Sequence, residues 1–414
     1  MMDVLIFQKK TYIDEETHFL LKRSIIQEGD ILFTIAGTVG RSCIVTQSIL
    51  PSNTNQAVAI IRPNHQKLDK YFLYYYLRDK RVLSEVKKKT VRSVQANLSL
   101  KSINELLIPE LSIQNQRSAV FLPKILDERI ELNKKMNATL EAMAQTLFKS
   151  WFVDFDPVKA KLAAVRCGRD PEKAAMAAIA CKLVVPPGKP KPENLEEKLP
   201  SAEAIDAAIA SLDALSEEQM QSLKEKAAHF PSDFQESELG LIPIGFKVCS
   251  VKELVSRIKV KQKFTQKNVL ARGKVVVFEQ GSNLILGYHN GNADIDSSVS
   301  NPKFIFGDHT CISHLSTSPF SVGPNVIPIS AALFNPYWTY YAVKDIQKFQ
   351  EYRRHWMEFI VKKVVVPQND LCEIYSDLIT NFKVLINKNS NEISSCAQIR
   401  DILLPKLLSG EISV

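Results

Sequence analysis

Two stretches of the chain carry apolar side chains at alternating steps of four and three residues. The first stripe runs through Leu126, Ile130, Asn133, Asn137, Leu140, Ala144, Leu147 and Trp151, the second through Ile379, Phe382, Ile386, Asn389, Ile393 and Cys396. This spacing is that of a coiled-coil seam, and amides placed in such a seam fix its register. A lone amphipathic helix cannot bury such a stripe, so the helices predicted over 103–151 and 359–408 are expected to pack on each other. The competing arrangement packs each helix on its own neighbouring module.

Both helices are approached in the same way. Ile108-Pro109 answers Val366-Pro367 at a spacing of 258 residues, and the run Tyr74 to Asp79 answers Tyr340 to Asp345. The chain therefore reads as one supersecondary unit used twice. Between the copies the pattern changes. Asp154 to Lys182 is Ala-rich and helix-prone, Val184 to Pro192 is a Pro-rich extended breaker, and Ala202 to Lys226 is expected to be helical.

Shorter apolar runs predict strands. Gly29 to Thr34 and Cys43 to Val45 flank Gly37 and Gly40 in a hairpin pattern, Ala57 to Ile61 closes at Pro63, and Tyr71 to Leu83 reads as a short aromatic helix. In the later copy Lys274 to Phe278, Phe304 to Phe306 and Asn325 to Ile329 are the strand candidates. The expected class is α+β. Two domains with mixed, irregular β-sheets are joined by the long helices, with boundaries at 1–102, 103–151, 152–236, 237–358 and 359–414.

The charge is segregated, which alters the reading of the two sheet-bearing modules. A formal net charge of +8 hides twelve acids against three lysines between Glu193 and Glu238, and nine Lys or Arg against Glu253 alone between Lys247 and Lys274. A second basic stretch, Arg78 to Lys101, is followed within itself by Ser93, Gln95 and Asn97. Lysine meets phosphates whatever the sequence, whereas Arg, Gln and Asn can pair with base edges, so the mixture suits specific DNA reading. A solvated charged face would look the same. Seven cysteines without a CxxC pair, and no apolar signal core in residues 1–10, point to a reducing cytoplasm. No run reaches the eighteen or more apolar residues of a membrane-spanning helix.

Catalytic patterns are sparse. Asn335-Pro336-Tyr337-Trp338 lacks the second proline of the motif with which amino-methyltransferases hold a flipped adenine, and it reads as a strand-to-helix turn. Gly37-Thr38-Val39-Gly40 lacks the Lys-Ser or Lys-Thr of a phosphate loop. His309, Cys311 and His314 form no convincing zinc set, and no Gly-x-Ser-x-Gly elbow occurs. The chain is expected to bind no metal or cofactor and to perform no catalysis.

Several segments resemble the specificity subunits of type I restriction-modification systems: Leu107-Ile108-Pro109 before the first helix, Ala144 to Phe155 at its end, Ser237 to Phe246 leading into the second module, and the C-terminal Leu403 to Ile412. Phe246 stands where the family usually has Trp. Gly29 to Leu32, Gly37 to Gly40 and Gly307 to Thr310 fall where the family places strands of its target-recognition domains. The resemblance implies two target-recognition domains held apart by an antiparallel pair of helices that spaces the halves of a bipartite DNA target. It further implies double-stranded DNA, two modification subunits and restriction subunits as partners. S-adenosylmethionine, used for adenine-N6 methylation, and ATP with Mg would then sit on those partners. Only 28 residues precede Gly29, so the first domain is expected to be shortened against its family.

The resemblance places candidate DNA-contacting residues on loops and basic positions near the recognition strands. In the first module they are Thr38, Arg41, Asn55, Lys88, Arg92, Ser93, Gln95 and Asn97. In the second they are Lys261, Lys263, Gln280, Asn283, His289, Asn290, Asn292 and His309. Three functions stay open: a DNA-specificity subunit, which is favoured; a self-sufficient methyltransferase or nuclease; and a partial subunit serving only as a protein-binding scaffold.

Overall fold

The computed structural model describes residues 11–88, 98–281 and 283–412. The chain forms two compact units, one of Met1–Asn137 with Asn387–Val414, the other of Ala138–Ile386. Each long helix contributes residues to both.

In the first unit a three-stranded antiparallel sheet has Ile31–Thr34 at its centre, with Ser42–Ile44 and Val58–Ile61 on either side. The hairpin loop turns through Gly37 and Gly40, both at positive φ, and a Cβ on Gly40 would come within 2.8 Å of Leu83. The aromatic helix expected over 71–83 is two helices, Lys70–Arg78 and Lys80–Lys88. Asp79 causes the break. Its backbone is extended, and its carboxylate accepts the Arg81 N–H at 2.7 Å, so it starts a second helix instead of continuing the first. Ile31, Phe33, Phe72, Tyr75 and Leu77 are buried together with Leu404 and Leu407 of the C-terminal helix.

The long helices are Ile113–Phe152 and Asn369–Leu408. Both start about ten residues later than the sequence pattern suggests. Residues 103 and 359 belong to separate short helices, Leu100–Asn104 and Trp356–Ile360, and Val366 closes a strand. A residue ahead of proline disfavours the α conformation, so Pro109 and Pro367 separate each approach from its helix.

Within the first unit the two helices run antiparallel, with Asp127 beside Arg400, Arg129 beside Glu392 and Asn137 beside Asn389. Asn389 Nδ2 donates to Asn137 Oδ1 at 2.9 Å, while Ile130, Asn133 and Cys396 are buried. Asp127 is almost wholly enclosed: Arg400 donates to one oxygen, and the Tyr75 hydroxyl donates to the other at 2.9 Å. Burial raises the Asp127 carboxyl, but the Arg400 guanidinium and Tyr75 outweigh it and hold the group below the ordinary carboxylate value.

The second unit places its own stretches of the helices against a different environment. Phe148, Trp151, Phe152, Trp338, Tyr341 and Tyr375 pack with ring centroids 5.1–6.3 Å apart. Tyr375 donates its hydroxyl to the Ala144 carbonyl at 2.9 Å. Glu141 is the counterpart of Asp127, since Lys383 donates to it at 2.7 Å and the Tyr341 hydroxyl lies 3.1 Å from either oxygen.

A four-stranded sheet in the order Ser313–Ser316, Lys303–Gly307, Val326–Ala331, Val255–Arg257 is antiparallel throughout. A second sheet has Val275–Phe278 at its centre, parallel to Phe320–Val322 and antiparallel to Ile285–His289. Lys247–Ser250 pairs with Lys363–Val366, and Phe234–Ser237 with Gly240–Pro243.

The segment read from sequence as a connector folds into this unit's core. Helices Asp156–Arg166, Pro171–Ile179, Ala202–Ala210 and Glu217–Ala228 bury Val158, Ala175, Ile205 and Ala227 with Trp151 and Phe246. Lys159 is fully buried, its ammonium donating to the Pro186 carbonyl at 2.8 Å and to that of Gly188 at 3.4 Å. The Pro-rich stretch is thereby a strap pinned through the helices.

Acid destabilises this unit through two groups. Burial, with Lys383 and Lys344 nearby, pushes His314 down from 6.5 to about 4, against the opposing pull of Glu141. Glu141, which burial would raise, is lowered by Lys383 and Lys344 to about 2. Both folded-state values are depressed. Below pH 6.5 the unfolded chain therefore takes up the His314 proton first, and below 4.5 that of Glu141. The His314 part amounts to about 3 kcal/mol, lost between pH 6.5 and 4. All three tryptophans, Trp151, Trp338 and Trp356, lie in this unit, so their fluorescence reports its unfolding. Urea titrations at pH 7 and pH 5 are expected to show a drop in the native protein that His314→Gln largely abolishes; an equal drop in both removes His314 as the cause.

Candidate nucleic-acid interface

In the first unit one end of the small sheet gathers Thr38, Arg41 and Asn55. Thr34 organises that end. Its hydroxyl donates to the Thr38 carbonyl at 2.5 Å and accepts the Arg41 N–H at 2.9 Å, leaving both neighbouring side chains exposed in the hairpin loop. Asn55 is exposed just ahead of Val58–Ile61, its side-chain Oδ1 accepting the Ala57 N–H at 3.0 Å. Lys88 is exposed at the end of the helix whose Leu83 abuts Gly40. Arg92, Ser93, Gln95 and Asn97 lie outside the described residues. The described chain resumes at this same end of the sheet, where the Leu98 N–H meets the Ile35 carbonyl at 2.9 Å.

In the second unit the sequence-predicted residues divide between the two ends of one hairpin. Phe278 pairs with Ile285 and Val275 with His289, so Gln280 and Asn283 stand at the turn while Asn290 and Asn292 stand at the opposite end. The turn end is the richer. Gln280 Oε1 accepts the His309 N–H at 2.9 Å, which brings the end of Lys303–Gly307 alongside. Lys263 donates to the Val326 carbonyl at 3.3 Å, and partial burial with Arg257 nearby lowers its ammonium, Asp308 opposing. Asn283 is exposed.

Two of the candidates are unsuited to direct reading. His289 is buried and stacked on Phe264 at 4.3 Å; one ring nitrogen lies 3.0 Å from the Ser321 hydroxyl and the other accepts the Gly291 N–H at 3.1 Å. No ring nitrogen is left for a base, which corrects the sequence reading of His289. His309 has neither ring nitrogen hydrogen-bonded and both shielded, its ring edge-on to Tyr352 at 4.7 Å. Asn290 accepts the Lys274 N–H at 3.2 Å at the end of the hairpin opposite the Gln280 turn, and Asn292 and Lys261 are exposed.

Sequence reasoning passed over the segment against His309. Tyr352 is 73% exposed and the Arg354 side chain 80%, with its guanidinium 3.9 Å from Asp308. Arg353 is occupied by Glu351 and Glu358, so Arg354 is the better placed of the two to meet a partner's anion. The buried Asp308 carboxylate fixes this segment by accepting the N–H groups of His355 at 3.2 Å and Trp356 at 3.0 Å. The run Tyr352-Arg353-Arg354, an aromatic beside two guanidiniums, was the available signal.

The catalytic motifs rejected from sequence have structural roles here. Asn335 caps helix Pro336–Val343, accepting the Tyr337 N–H at 3.1 Å and donating to Glu373 at 2.9 Å. Among the described residues no three His, Cys, Asp or Glu side chains are grouped as metal ligands, and no helix is long and apolar enough to cross a membrane. None of the seven cysteines is disulfide-bonded.

Residues 15–142 match the family model described as type I restriction modification DNA specificity domain. The chain is 25% identical to the HindI type I restriction enzyme specificity subunit of Haemophilus influenzae, over 94% of this chain and 88% of the relative. It is also 25% identical to the MjaIX specificity subunit of Methanocaldococcus jannaschii, over 94% of this chain and 79% of the relative. A type I restriction-modification S subunit from M. genitalium, known from a crystal structure, aligns over 93% of this chain and 84% of its own with 14% identity and a TM-score of 0.45. That likeness is too distant to position individual elements.

Proposed function

We propose that this chain, similar over most of its length to type I restriction-modification specificity subunits, is the DNA-reading component of such a complex and leaves catalysis to its partners. The observation that carries the reading is the kinship to specificity subunits over 94% of the chain. In this reading each unit meets one half of a bipartite target in double-stranded DNA. The first unit would use Thr38, Arg41 and Asn55, and the second Gln280, Asn283 and Lys263 with Tyr352 and Arg354. Two modification subunits would supply S-adenosylmethionine chemistry at adenine N6, and restriction subunits would supply ATP-driven cleavage in the cytoplasm.

The test is long-read mapping of methylated adenine in cells with and without the gene. Loss of one split motif with a fixed spacer is the expected result; an unaltered pattern overturns the reading in favour of a scaffold. At residue level, Asn283→Ala is expected to lower discrimination for the cognate sequence by about 1–3 kcal/mol. Arg354→Ala, if that guanidinium meets phosphate, lowers affinity for every sequence alike and flattens the salt dependence by about one unit of slope. Competition binding at several salt concentrations separates the two outcomes, and unchanged discrimination removes Asn283 from the interface.

A further inference from the structure

The two ion-paired clamps share a polarity that duplication alone would not produce. At both, the carboxylate stands on the first long helix and the cation on the second: Asp127 with Arg400, and Glu141 with Lys383. By the 258-residue spacing of the repeat, Asp127 corresponds to a place within two residues of Lys383, and Glu141 to one within a residue of Arg400. A faithful duplicate would carry its acid and its base in the same order on both helices. Here both positions on the first helix are acidic and both on the second are basic. Tyr75 hydrogen-bonds a carboxylate on the helix that follows its own module, whereas Tyr341 hydrogen-bonds one on the other helix.

The segregation matters for what else either helix could pair with. If the first helix met the first helix of another copy in the same antiparallel register, Asp127 would face Glu141 at both ends of the pair. A second helix meeting another second helix would set Lys383 against Arg400. The Asp127 side chain is 1% exposed, Lys383 11%, Arg400 15% and Glu141 30%, so Lys383 against Arg400 would meet with little water between them, and Asp127 would bring a buried charge against a half-buried one. Repulsion built against a wrong partner is as effective as attraction to the right one. The intervening pair of Arg129 and Glu392 has the opposite polarity, but it is exposed and weak.

We propose that the two clamps select the pairing partner, holding the first long helix to the second and rejecting a second copy of this chain joined like to like. The experiment uses three full-length variants: Asp127→Arg with Glu141→Lys, Lys383→Glu with Arg400→Glu, and all four changes together. Light scattering and thermal melting read the result without DNA, so the outcome is independent of the specificity reading. Each two-residue variant is expected to lose about 10 °C in Tm, and the fourfold variant to recover most of it. Mixing the two differently tagged two-residue variants is expected to give a species containing both chains, because the all-basic and all-acidic helices then complement each other; co-expression replaces mixing if either fails to fold alone. Two-residue variants that melt with the native protein, a fourfold variant no more stable than they are, or absence of the mixed species each overturn the proposal.

Discussion

Arg400→Met is expected to cost about 3–5 kcal/mol of stability, because it removes the cation from a carboxylate that stays buried. Asp127 is nearly inaccessible and would keep only the Tyr75 hydroxyl of the two partners described. Methionine approximates the length of the arginine stem, so most of the loss is electrostatic and not a cavity. The pH dependence distinguishes the two. In the native protein the Asp127 carboxyl is held down, and its stabilisation is present above the ordinary carboxylate value and lost as pH falls through the folded one. In the variant the lowering pull of Arg400 is gone, so the carboxyl titrates higher than in the native protein and acidification relieves part of the penalty. Chemical denaturation followed by circular dichroism should show the gap between the two proteins narrowing from pH 7 to pH 4.5; a constant gap assigns the loss to packing.

Trp151→Ala is the second large effect, expected at about 3–5 kcal/mol. The indole is 1% exposed and meets Phe230 edge-on at 5.4 Å and Tyr375 at 6.3 Å, so its removal leaves a cavity among buried rings. It joins the end of the first long helix to the four following helices, and the loss should appear throughout the second unit. Trp338 and Trp356 remain as fluorescent reporters in the variant. An unfolding free energy from urea titration within about 1 kcal/mol of the native protein would mean that the surrounding helices collapse onto the vacancy.

The seam of the long helices was legible because periodicity of apolar positions depends only on helix geometry. Asn389 meets Asn137, a contact whose two halves lie 252 residues apart in sequence. The helix starts were not legible, since a proline marks where a helix cannot be without marking where the next begins. The packing role of residues 156–228 was hidden for a different reason. Alanine is helix-prone on any face, and only tertiary contact shows that Ala160, Ala163, Ala164 and Ala174 are all enclosed. Among the candidate readers, His289 was misjudged because its strand alternates inward with it: Gly287 and His289 share the buried face. Tyr352 and Arg354 carried a sequence signal in the run Tyr352-Arg353-Arg354, but their placement beside Asp308 and His309 is a tertiary contact that no spacing along the chain reveals.

The strap over Lys159 has a consequence in reaction kinetics. An acylating reagent needs an uncharged amine that it can approach, and this ammonium is enclosed, directed at two carbonyls and ion-paired with Asp156 at 2.9 Å. Fifty-three lysines and arginines share the sequence, many of them at the surface, yet this amine becomes available only when the helices beneath the strap part. Its rate of modification is therefore set by how often the helices beneath the strap part, which makes one nitrogen atom a clock for that opening.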